Sequence, residues 1–168
     1  MKSISALVAA LIPALAAAQP AVEVRFGDLD NFTDFRLTTS GEERERPDLA
    51  DELRRYLERR APSFIPANTR LQVAILDVDM AGEFWPSRRS PHSMIRVVRG
   101  VYMPRIDLEF RLVGADGRAL REGRRELRNP SFLSSTRGRR DELLSHEKAL
   151  LDRWLGREFP RERSASVR

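Results

Sequence analysis

Pro104-Arg-Ile-Asp-Leu-Glu-Phe-Arg-Leu-Val113 alternates apolar and charged side chains up to Leu112. Ile106, Leu108, Phe110 and Leu112 fall on one side of an extended chain, and Arg105, Asp107, Glu109 and Arg111 on the other. That period of two belongs to a strand with one packed face and one wet face. Such a strand implies a sheet covered on one side only, which favours helices packed on a single face. Gly114-Ala-Asp-Gly117 follows as a tight hairpin turn, so the segment from Arg118 to Arg128 returns antiparallel. Leu120 and Leu127 fall out of phase across Gly123, which predicts a bulge there.

Working upstream, Leu71 to Met80 is apolar on both sides until Asp77, the pattern of a central strand. Val22, Val24 and Phe26 alternate with Glu23 and Arg25 and mark a half-buried strand. A polar loop carrying Phe32 and Phe35 is expected from Gly27 to Arg46. Pro47-Asp48 is expected to open a helix, with Asp48 as its cap. Leu49, Leu53, Tyr56 and Leu57 form one apolar stripe along it, and Pro62 ends it. A right-handed crossover through this helix makes the first two strands parallel. Beyond the Gly82-to-Pro91 loop, Met94–Arg99 reads as a short strand. Downstream of a Ser-, Arg- and Gly-rich loop from Asn129 to Arg140, Asp141 is placed to cap a second helix. Its apolar face is Leu143, Leu144, Leu150, Leu151, Trp154 and Leu155. The predicted fold is α+β: a two-layer sandwich, its mixed, mostly antiparallel sheet of about four or five strands carrying two helices on one face.

The first eighteen residues have a different character. Lys2 precedes an apolar run from Ile4 to Leu15, too short to span a bilayer, and Ala16-Ala17-Ala18 puts small residues before Gln19. This is the layout of a secretory signal peptide cleaved after Ala18. The expected organisation is a signal peptide over 1–18, one α+β domain over 19–160 and a frayed charged tail over 161–168. The expected location is the periplasm, with no transmembrane segment once the signal is removed.

The chain holds no cysteine and only two histidines, His92 and His146. Thiol catalysis, thiolate metal sites and a three-histidine metal site are therefore excluded within one chain. The net charge of +5 falls to +4 when Lys2 leaves with the signal. The basic residues are interspersed with acidic ones, and the expected address points away from nucleic acid and towards anionic envelope polymers. No Gly-x-Ser-x-Gly elbow and no phosphate-cradling glycine loop occurs, so nothing marks the chain as an enzyme, and no cofactor is expected.

Three features carry candidate chemistry. Glu83-Phe84-Trp85-Pro86-Ser87-Arg88-Arg89 combines aromatic and basic residues, the composition of a recognition surface, and makes Phe84, Trp85, Arg88 and Arg89 candidate contacts. Its alternative is that Phe84 and Trp85 fold back over one end of the core. Arg105 and Asp107 belong to the wet row, which either neutralises itself through Arg121, Glu122, Arg124 and Glu126 or serves as a docking face. Asp77 and Asp79 share one side of their strand, and with Glu83 they offer three oxygens to a hard cation such as calcium. Glu147 is expected at the buried edge of the second helix, paired with an arginine.

Asp77-Val-Asp-Met-Ala-Gly-Glu-Phe84, Pro104-Arg-Ile-Asp-Leu108, His146-Glu-Lys-Ala-Leu-Leu-Asp-Arg-Trp154 and the Asn-Phe-Thr-Asp ending at Asp34 resemble a small exported proteobacterial family, domain of unknown function 3016. The resemblance spans nearly the whole chain after the signal. The order of residues at Phe84-Trp85-Pro86 and the histidine at His146 depart from the family's pattern. What the resemblance implies is compartment, size and architecture, and no functional residue. The expected function is thus a periplasmic binding or accessory protein that docks to an envelope protein or anionic envelope polymer. The alternatives are a carboxylate metal site, in a hydrolase or a calcium-stabilised binder, and a binder of anionic glycan or lipopolysaccharide.

Overall fold

A computed structural model describes residues 20–39, 44–88, 93–135 and 142–160. The expectations for the signal peptide, Arg89, Asp141 and the tail lie outside these residues. Strands β1 (Val22–Phe26), β2 (Arg70–Asp79), β5 (Arg105–Val113) and β6 (Ala119–Arg128) form one sheet in the order β1-β2-β5-β6. β1 and β2 are parallel, and β2–β5 and β5–β6 antiparallel, as the crossover and hairpin arguments require. The turn between β5 and β6 is closed by Gly114 N–H to the Arg118 carbonyl, and Gly117 sits at φ +79°, where glycine is unstrained. Helices α1 (Glu45–Arg60) and α3 (Ser145–Glu158) lie on one face, so the architecture is α+β as predicted. A short helical turn, α2 (Phe132–Ser135), replaces part of the expected loop, because Phe132 is buried there.

The core joins Leu49, Leu53 and Leu57 of α1 to Leu71, Val73 and Ile75 of β2, Ile106, Leu108 and Phe110 of β5, and Leu151, Trp154 and Leu155 of α3. Phe110, Trp154 and Phe159 meet edge to face, with ring centroids 5.6–6.0 Å apart, and lock α3 onto β5. Lys148 is almost fully buried between the helices, its Nζ 2.7 Å from Glu52 of α1 and 2.8 Å from Glu142. Burial opposes its charge, but those two carboxylates hold its proton more tightly than usual.

Both helix starts differ from expectation. α1 begins at Glu45, so Asp48 lies inside the first turn, and Arg44 stands at the N-cap without a side-chain capping hydrogen bond. The Glu45 carboxylate instead turns back to receive the N–H groups of Leu37 and Thr38 and the Thr38 hydroxyl. Leu144, at φ 57° and ψ 32°, precedes α3 in place of an acidic cap. Its buried side chain anchors that turn, while Leu143 faces solvent instead of joining the apolar face.

Two strand irregularities also differ. β2 is not apolar on both faces: between Ile75 and Asp77 the register shifts by one, leaving Leu76 as an extra residue. The bulge returns Val78 to the buried side of Leu71, Val73 and Ile75 and puts Asp77 and Asp79 on the open side. In β6 the extra residue is Leu120, not Gly123. Gly123 lies opposite Phe110, and the Arg125 guanidinium passes 2.8 Å from where a Cβ would stand, to lie over the Phe110 ring at 5.2 Å. Arg121 and Arg125 therefore face α3 and close on Glu158; Arg121 is not a partner of the wet row.

Residues 27–39 are not a loop apart from the core. After a 3-10 turn at Leu29–Asn31, the chain rejoins the sheet at Asp34, which bridges Asp79 in parallel, its N–H on the Val78 carbonyl. Phe32 and Phe35 are buried against each other at 5.7 Å.

Candidate functional site

Glu83-Phe84-Trp85-Pro86, expected as a loop, forms strand β3 and pairs antiparallel with β4 (Met94–Val97) in a two-stranded ribbon of its own. Glu83 pairs with Val97, Phe84 with Arg96, Trp85 with Ile95 and Pro86 with Met94. Ser87 N–H to the Ser93 carbonyl carries the ladder towards the tip. Alternation then places Phe84 and Arg96 on one face and Trp85 and Ile95 on the other.

The Phe84–Arg96 face binds the ribbon to the body. Arg96 is largely buried; its Nη2 lies 3.0 Å from both Asp34 carboxylate oxygens and 2.7 Å from the Arg36 carbonyl, and its Nη1 reaches the Gly82 carbonyl at 3.2 Å. The Phe84 ring is held between the guanidinium groups of Arg96, at 4.5 Å, and Arg36, at 5.3 Å. Phe84 therefore takes the packing role, at the edge of the body. At the base, Gly82 holds φ +88°, and a Cβ there would stand 2.7 Å from the Val97 carbonyl oxygen.

The opposite face is turned outward. Trp85 is 38% exposed and Ile95 50%, and beyond them Val98 and Val101 (76%) are also exposed. Arg99 lies over the Trp85 ring at 4.4 Å, and Arg88 is exposed at the end of β3. Large side chains of this kind gathered on one small element mark a contact surface more than a core face.

Behind the ribbon's base a polar cavity of about 440 Å³ is lined by Asp34, Asp79, Glu83, Tyr102, Arg105 and Arg128, among others. Asp77 and Asp79 do share one side of β2, but their surroundings separate them. Asp77 receives the Thr33 N–H and hydroxyl, each at 2.7 Å, and the Arg105 guanidinium. Burial alone would raise its pKa, yet these donors hold it below the usual carboxylate range. Asp79 moves upward, through burial and then the nearby Asp34 and Asp77 charges, with Arg105 and Arg96 opposing. Glu83 is bonded to Tyr102, whose hydroxyl it shifts upward. Among the described residues no three His, Cys, Asp or Glu side chains converge as a metal would require, and Asp77 is already engaged by Thr33 and Arg105.

On the open sheet face, Asp107 binds Arg124, Arg111 lies 3.4 Å from Glu122, and Arg128 pairs with Glu126. Like charges stand directly opposite at Arg105–Arg128 and Asp107–Glu126, and the diagonal pairs Arg105–Asp77 and Arg124–Asp107, with Arg128–Glu126 along β6, offset them. A shallow cavity of about 510 Å³ lies farther along this face, between Glu23, Arg25, Gln72, Glu109, Arg111 and Arg124. Glu147 is buried, as expected, but the group it binds is the Ala81 N–H at 2.8 Å and not an arginine. Burial pushes its pKa up, with that N–H acting against the shift.

Ile95, Arg96, Asp34 and Tyr102 were missed from sequence. Arg96 and Ile95 sit in a four-residue strand whose pairing partner reads as a loop in the sequence, so the sequence assigns them no face. The alternation of Phe84 with Trp85 against Arg96 with Ile95 is the signal that reveals them once the two segments are aligned.

No curated protein and no solved structure matches the chain. A family model described as a protein of unknown function, DUF3016, matches residues 20–157, the span that holds the sheet, the ribbon and almost all of α3. The chain belongs to that family, the one its Asp77–Phe84, Pro104–Leu108 and His146–Trp154 segments resemble.

Proposed function

We propose that the protein is an exported binding or accessory module that docks to a component of the cell envelope through the outward face of the β3–β4 ribbon. The observation that carries this reading is the Trp85–Ile95 cross-strand pair, exposed on a ribbon that the Arg96–Asp34 ion pair holds against the body. A rigidly mounted tryptophan beside an arginine gives large contact energy for little lost side-chain freedom. The signal-like first eighteen residues supply the address. The charged sheet face is a less favoured contact, because most of its charges already close on one another. The metal reading is weakened by the engagement of Asp77 with Thr33 and Arg105.

In-cell photo-crosslinking from position 85 tests the docking reading, with the exposed α1 position Arg55 as control. A discrete adduct from position 85 alone, lost with Ile95→Ser, is expected. Adducts of equal yield from both positions, or none from either, would overturn it.

A further inference from the structure

The outward ribbon face has a chemistry that narrows its partner. Trp85 and Ile95 stand side by side, and both are exposed. Arg99 is exposed and covers one side of the indole, and Arg88, also exposed, lies two residues beyond the end of β3. The acidic residue on this face, Glu83, is bonded to Tyr102 at the base. A ribbon of four residues per strand presents little area. A stable protein–protein contact needs roughly 800 Å² from each partner with matched shape. A bilayer needs neither, since apolar side chains enter the headgroup boundary individually and indole rings favour that depth.

Resting on the docking reading, we infer that this face seats on an anionic lipid surface: Trp85 and Ile95 enter the interface, and Arg99, with Arg88 beyond the end of β3, meets the lipid phosphates. The charges are complementary, for the chain without its first eighteen residues carries +5 less the Lys2 charge, a net +4, and Arg99 lies against the indole. Few side chains take part, so attachment is reversible and weakens with salt.

The test uses the protein in the form the cell exports, its N-terminus read by mass spectrometry, so that the apolar leader does not bind lipid on its own account. Phosphatidylglycerol-containing vesicles are expected to sediment it at low salt, and phosphatidylcholine vesicles much less. Brominated lipid should quench the tryptophan emission. Trp154 is buried in the core, so the quenching should vanish in Trp85→Phe. The pair Trp85→Ser with Ile95→Ser should weaken binding by at least about tenfold, the equivalent of about 1.4 kcal/mol. Arg88→Ser with Arg99→Ser should flatten the salt dependence. Circular dichroism of each variant separates lost binding from lost fold. Absent sedimentation, absent quenching or unweakened binding by the folded Trp85/Ile95 variant would each overturn the lipid assignment. If a discrete protein adduct still forms from position 85, the docking reading stands and its partner is a protein; if neither appears, both fall.

Discussion

Arg96 shows how one side chain can hold an element in place. It binds Asp34, two carbonyl groups in the turns on either side and the Phe84 ring, so a single guanidinium joins the ribbon, the β2 end and the Asp34 bridge. Arg96→Ala should cost about 2–4 kcal/mol, because Asp34 and the carbonyls lose their donor away from full solvent. Arg96→Lys should recover little, since an ammonium lacks the planar fork. Urea denaturation of the two variants checks both statements. Glu147 makes a pH prediction. Burial raises its pKa in the folded state above the ordinary 4.5, so between those values the folded chain holds a proton that the unfolded chain has released. Its contribution is therefore lost as pH rises through that window. Glu147→Gln keeps an acceptor for Ala81, and its stability relative to the natural protein should climb as pH is raised from about 4.5. Denaturation midpoints of the pair across pH would show it; parallel curves would refute the assignment. Glu147 was legible as a buried residue from its helical spacing, but its partner was not. Ala81 is 66 residues away, and a backbone N–H leaves no mark in a sequence.

At the scale of the element, the β3–β4 ribbon depends on its glycine hinge. Gly82 at φ +88° has the Val97 carbonyl where a Cβ would go, so Gly82→Ala meets both strain and collision with backbone. A loss of about 2 kcal/mol or more is expected, together with faster proteolysis within the ribbon than in the main sheet. Gly123→Ala is the contrast: its close neighbour is the tip of Arg125, which can swing away, so the change should cost less. The elements with a clean period were read correctly, β1, β5 and the apolar stripe of α1 above all. Those that failed did so for local reasons. Leu76 interrupts the period of β2, and counting it in a regular alternation makes one apolar set look like two. Glu83–Pro86 forms a strand although it holds a proline, because Pro86 sits at its end, where a missing N–H matters little.

For the whole molecule, stability rests on the layer of α1 and α3 against the sheet. Trp154→Ala should cost about 3–5 kcal/mol, since it opens the contact with Phe110 and Phe159. Trp154→Phe should cost far less, because the indole N–H is buried with no hydrogen-bond acceptor among the described residues. Chemical denaturation of both separates the two terms. The sequence alone was enough to establish the two-layer α+β plan, the parallel β1–β2 pair and the β5–β6 hairpin. All of these follow from periodicity, turn chemistry and the handedness of crossovers, which are local properties of the chain. The tertiary structure alone decided that Asp77 is tied to Thr33 and Arg105, that Arg121 and Arg125 turn inward to Glu158, and that Phe84 packs while Trp85 faces out. Those outcomes depend on one-residue bulges and on partners tens of residues apart, and each such bulge reverses the face that every later side chain presents.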